Sequence, residues 1–108
     1  MEVKMIVNGS RFRQMSLDIE LENKPFEGIY VGDLLSFVMA KAKPNQLWLT
    51  VQTHPNIIAI ASLLDLSAVI VVSGVEIPQE TIDLANEQGI LLISSVLDAV
   101  EIIKLLDI

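Results

Sequence analysis

The sequence predicts an α/β fold: three layers, a mostly parallel sheet with helices on both sides, and a β-rich edge built from the first thirty residues. Three observations carry this. Short, continuous apolar runs recur at residues 47–52 (LWLTVQ), 68–73 (AVIVVS) and 90–94 (ILLIS), without in-and-out alternation, as befits strands covered on both faces. Helical runs fall between and after them, the spacing of repeated β-α units. With 108 residues, the chain is long enough for one domain with its own core and too short for two of ordinary size. One domain over residues 1–108 is the expectation.

The elements follow in order. MEVKMIV (1–7) and SLDIELE (16–22) alternate apolar and polar side chains, the pattern of half-exposed strands, with Asn8-Gly9-Ser10 as turn chemistry between them. VGDLLSFVMAKAKP predicts a helix from Asp33 to about Lys41, stopped before Pro44. A second helix is expected from Pro55 to about Leu64, with proline at its first turn and Thr53 or His54 as the cap. The third runs from about Pro78 to Gln88 and ends at Gly89, a natural left-handed terminator. The fourth is expected from Ser95 to about Leu106, capped by Ser95, with Asp98 in the positive first turn.

Composition narrows the function. Hydrophobic residues make up 52% of the chain and charged ones 19%, the balance of a buried core rather than a disordered segment. The net charge of −7 repels a phosphate backbone, so nucleic acid is excluded as an expected partner. With no cysteine there is no disulfide and no thiolate chemistry, which suits a reducing compartment. The start, MEVKMIVNG, lacks the basic and apolar regions of a signal peptide, and a cytoplasmic location is the default expectation. Residues 57–75 are apolar apart from Asp65 and three serines. A mid-span aspartate costs about 2.5–3.5 kcal/mol in a bilayer, so no membrane span is expected.

Two helices look too apolar for a lone copy. In 95–106 the polar positions Asp98, Glu101 and Lys104 fill an arc of about 120°, and in 55–64 only Asn56 and Ser62 are polar. Burial against a second copy, or against another protein, is the economical expectation.

Ligands of open α/β sheets bind beyond the strand carboxyl ends. Those ends present Thr53, His54 and Asn56 after the first run, Ser73 and Gly74 after the second and Ser94 after the third. Hydroxyls and backbone N–H groups in such a rim suit a small polar or anionic ligand, although serine and threonine in these places also serve as plain caps. His54 is the sole histidine. It can titrate near neutrality, but with no second histidine and no cysteine neither a metal site nor a catalytic triad is announced, so no cofactor and no metal are expected.

The run from Gly28 to Ser94, with its Gly-Asp-Leu-Leu-Ser start, its Leu-Trp-x-Thr-x-Gln-Thr-His segment at 47–54 and its later Gly-x-x-x-Pro, resembles DRTGG domains of the short stand-alone type. The likeness extends over residues 28 to about 106. It implies an α/β module, often dimeric, found alone or joined to phosphotransacetylases and to pyrophosphatases carrying CBS domains, and related to the amino-terminal domain of HPr kinase. By that resemblance the module is regulatory or associative, a family for which no catalytic activity is established. The family's Gly-Asp-Arg position falls on Gln52-Thr53-His54 and its Thr-Gly-Gly position on Ser73-Gly74-Val75, so only Gly74 is kept.

These readings converge on a non-catalytic, ligand-sensing module acting as a homodimer. The alternatives are a small enzyme using His54 as general base and a structural subunit that docks a protein partner.

Overall fold

The computed structural model describes residues 1–7, 9–21 and 24–106, with Met5 described in its backbone only. Five strands form one sheet: β1 (Phe12–Gln14), β2 (Ile29–Val31), β3 (Leu47–Thr50), β4 (Ala68–Val71) and β5 (Leu92–Ser95), in the spatial order β1-β5-β4-β3-β2. The four strands from β2 to β5 are parallel, and β1 closes one edge antiparallel to β5. Among the described residues four α-helices flank the sheet: α1 (Leu35–Lys41), α2 (Asn56–Leu63), α3 (Gln79–Gln88) and α4 (Ala99–Leu106). The architecture is the mostly parallel α/β sheet the sequence predicts.

Alternate residues of the buried strands feed two separate cores. Leu47, Leu49, Ala68, Ile70 and Ile93 point to one face, where Val3, Ile6, Phe12, Phe26, Leu97, Ile102 and Leu106 cover them. Trp48, Val69, Val71 and Leu92 point to the other, beneath Val38 of α1, the Ile57, Ile58 and Ala61 side of α2, and Ala85 of α3. Both faces being covered, the strands have no polar side to show, which is why they read as unbroken apolar runs.

Helix ends follow local chemistry. α3 begins after Pro78 and stops at Gly89, whose φ of 74° is the left-handed conformation expected of it. α4 departs from expectation. Ser95 belongs to β5, opposite Phe12, and the helix is instead capped by Asp98: its Oδ1 accepts the Glu101 N–H at 2.8 Å, while Glu101 Oε1 accepts the Asp98 N–H at 3.2 Å. This reciprocal box satisfies two backbone donors at once, something a lone serine does not do.

The first 27 residues differ most. Val3–Met5 is a 3-10 turn, not a strand, because Val3 and Ile6, three apart, both reach the core. Residues 16–21 are not a strand either. Their backbone closes turns, Ile19 N–H to Ser16 O at 3.2 Å among them, and Gln14 Nε2 donates to the Ser16 and Ile19 carbonyls. The edge strand is instead the short segment between the two predicted runs. Asn8 of the expected turn and Glu22 of the expected second strand lie outside the described residues.

The premise that α2 needs a second copy is corrected here. Ile57, Ile58 and Ala61 are fully buried and Ile60 nearly so within the single chain, packed with side chains of α3, α1 and the sheet; of the large apolar side chains of α2 Leu63 protrudes, 69% exposed, while Asn56, Ala59 and Ser62 make the outer side. α4 buries Ile102 and Leu106 and leaves Val100 60% exposed. Among the described residues no helix is long and apolar enough to cross a membrane.

Candidate functional site

At the carboxyl edge of the sheet one register row runs from strand to strand: Thr50 beside Val71, Val71 beside Ser94, Ser94 beside Arg13. Residues opposed in this way share a face of the sheet. The row places Ser94, from the carboxyl end of β5, against an arginine whose distance in sequence hid it. Arg11 is tied to the same corner, its carbonyl accepting the Ser95 hydroxyl at 2.9 Å.

At the opposite end of the row stands Asp33, between β2 and α1. It does not cap the helix. Its Oδ1 accepts the Thr50 hydroxyl at 2.8 Å and the Val51 N–H at 2.9 Å, and its carbonyl accepts Gln52 Nε2 at 2.9 Å. Trp48 Nε1 donates to Gly32 O at 2.8 Å, a second bond holding the end of β2 to β3. A Cβ at Gly32 would lie 3.0 Å from the Tyr30 ring, so this close turn favours glycine. Sequence reading had placed Asp33 at a helix start and assigned it no role in the site.

The six expected ligand residues lie at three adjacent strand ends. Thr53 is half-buried, and its carbonyl accepts the buried Thr81 hydroxyl at 2.6 Å, locking the β3 exit to α3. His54 is exposed. Its Nδ1 accepts the Asn56 N–H at 3.0 Å and its carbonyl accepts the Ile57 N–H at 3.0 Å, so the imidazole serves the first turn of α2. Asn56 is exposed beside it.

Ser73 and Gly74, both exposed, take successive left-handed conformations with φ of 61° and 69°. Their N–H groups are not free for an anion: Ser73 donates to Leu97 O and Gly74 to Ser95 O, each at 2.8 Å. This corrects the expectation of free backbone donors at that strand end. The turn couples the β4 exit to Ser95, the last residue of β5 and one beyond Ser94, and to Leu97 after it, while Thr53, His54 and Asn56 form a second group at the neighbouring strand end.

Two open concavities lie elsewhere. One, of ≈ 540 Å³, sits at the amino ends of the strands and includes Asn45, Ser62, Asp65 and Gly89 in its lining. The other, of ≈ 640 Å³, lies between β1 and α3 and includes Arg13, Gln14, Gln79 and Asn86. None of the six expected residues lines either one. Among the described residues no three histidine, aspartate or glutamate side chains are placed to hold a metal ion.

The architecture is shared with a solved structure, the CBS and DRTGG domains of the regulatory region of Clostridium perfringens pyrophosphatase, complexed with the activator diadenosine tetraphosphate. The superposition has a TM-score of 0.76 at 18% sequence identity and covers 96% of this chain. The chain is DRTGG-like in fold. It spans 45% of the length of that regulatory chain. No family model matches the sequence, and no curated protein matches it either. The DRTGG-like likeness is therefore one of backbone path, with sequence likeness too low to carry residue roles across.

Proposed function

We propose that this chain is a non-catalytic regulatory module that acts as a homodimer and senses a small polar or anionic ligand at the carboxyl ends of β3, β4 and β5. The observation that carries the reading is the fold it shares, over nearly its whole length, with a regulatory region solved with a bound nucleotide activator. Two features of the site support the ligand. Arg13 beside Ser94 supplies a positive charge at the strand ends of an otherwise acidic chain. The Ser73-Gly74 turn couples that corner to the start of α4, a route by which occupancy would be felt elsewhere in the domain.

In this reading Thr53, His54, Asn56, Ser73, Gly74 and Ser94 form the ligand rim, and a ligand acts by binding one arrangement of the dimer better than another. On the same reading His54 serves the first turn of α2, and among the described residues its imidazole is bonded to the Asn56 N–H, which lends the general-base reading no support.

A thermal-shift panel of inorganic phosphate, adenine mononucleotides, dinucleoside polyphosphates and acyl phosphates tests the proposal. A ligand at 100 times its dissociation constant adds about 2.7 kcal/mol of stability, and the shift is lost in Arg13→Ala. No shift for any of these probes, in protein shown to be folded, contradicts the sensing role.

A further inference from the structure

The two edges of the sheet are built differently. β1 is short and charged, with exposed Arg13 in it and Arg11 beside it. Charges of this kind blunt an edge against pairing with another chain. β2, at the far edge, reads Ile29-Tyr30-Val31 and carries no charge at all. Its register with β3, with Leu47 N–H donating to Gly28 O and Gly32 N–H to Leu49 O, turns residues 28, 30 and 32 inward and leaves the backbone of Ile29 and Val31 facing out.

Beside this bare edge α1 is the least covered helix. It buries only Val38, and Phe37 and Leu34, three residues apart on one flank, are 62% and 60% exposed; Val31 is 49% exposed. Val31 lies on the face of Leu49, and α1 lies on the face of Trp48, so apolar surface flanks the edge strand on both sides of the sheet.

We propose that a second copy of this chain pairs along β2, antiparallel and about a two-fold axis, joining two five-stranded sheets into one and packing α1 against α1. This rests on the homodimer reading above and names its surface, which is neither α2 nor α4.

Three features favour a second copy over another occupant. Antiparallel self-pairing with Tyr30 at the axis sets Ile29 of one copy opposite Val31 of the other. The outward backbone groups of both residues are then satisfied in both copies. The exposed parts of Ile29, Tyr30, Val31, Leu34 and Phe37 amount to on the order of 400 Å², close to the apolar half of the about 800 Å² that each partner contributes to a standard interface. Antiparallel pairing also sets the Asp33 end of one β2 against the other copy's opposite end, where Glu27, Lys41 and Lys43 lie, so each end of the seam holds charges of both signs.

The test is the mass in solution of the wild-type chain and of Val31→Lys, Phe37→Lys and the control Val100→Lys, with circular dichroism as the check on folding. Dimeric wild type and control with folded, monomeric Val31→Lys and Phe37→Lys supports the proposal. Folded variants that remain dimeric overturn this surface and leave the homodimer reading standing, whereas monomeric wild type overturns both. Should a variant not fold, amide exchange on the wild type decides. Protection of the Ile29 and Val31 N–H groups that rises at least tenfold between dilute and concentrated protein supports the edge, and exchange independent of concentration overturns it.

Discussion

Asp33 shows how one side chain joins two strand ends. Its carboxylate accepts the Thr50 hydroxyl at the end of β3 and the N–H of the next residue, Val51, and the Thr50 that donates to it is buried. Bonds to a charged acceptor are among the stronger ones, and removing it leaves a buried hydroxyl without its partner. Because Asp33 itself is exposed, the loss is modest. Asp33→Ala is expected to cost about 1–2 kcal/mol in urea unfolding, and Asp33→Asn, which keeps an acceptor, less than half of that. Ser73 is a second residue under local constraint. Its left-handed conformation costs a side chain about 1–2 kcal/mol, a cost that glycine avoids. Ser73→Gly is therefore expected to hold or raise the melting temperature, and Ser73→Val to lower it by several degrees; the reverse order would mean that the turn is held for another reason. Neither residue was fully legible in the sequence. Ser73-Gly74 could be read as turn chemistry, but the bond between Asp33 and Thr50 spans 17 residues, and no local pattern reports a contact of that kind.

Among the elements, β3, β4, α2 and α3 were legible from nearby residues, whereas β1, β2 and the start of α4 were not. α3 lies between Pro78 and Gly89 because proline and glycine punctuate it locally, and β3 and β4 are apolar runs that need only cover on both faces. β1 is three residues long, and its partner β5 lies at the other end of the chain, so the alternation of the flanking segments misled. The same distance concealed Arg13 from Ser94 and Arg11 from Ser95, the latter pair 84 residues apart. α4 was misplaced at its start because Ser95 and Asp98 are both good caps, and the strand claimed the serine. Asp98→Ala is expected to cost about 1 kcal/mol and to fray the first turn of α4. For α2, Ile58→Ala is expected to cost about 2–5 kcal/mol in the isolated protein at any concentration, since the side chain is buried by its own chain. A cost that appears only at concentrations where copies associate would return α2 to the interface.

On the scale of the whole molecule, the apolar excess counted on α2 is covered within one copy, whereas α4 keeps Val100 and Leu105 exposed and further apolar surface lies at an edge that helix periodicity does not report. One copy hides the apolar flank of α2, and what it leaves bare is an uncharged edge strand with α1 beside it, together with Val96 and, on α4, Val100 and Leu105. The direction of exposure of an edge follows from strand order, which a single sequence does not state, whereas the apolar excess of a helix can be counted directly. In the proposed regulatory reading a ligand at the strand ends would act through how copies meet, so association of the chain is what that reading requires first. Sedimentation velocity of the unmodified chain over a dilution series tests this most directly. A reversible species near twice 11.9 kDa, dissociating on dilution, is the expected result; a single 11.9 kDa particle persisting at the highest concentrations would contradict it.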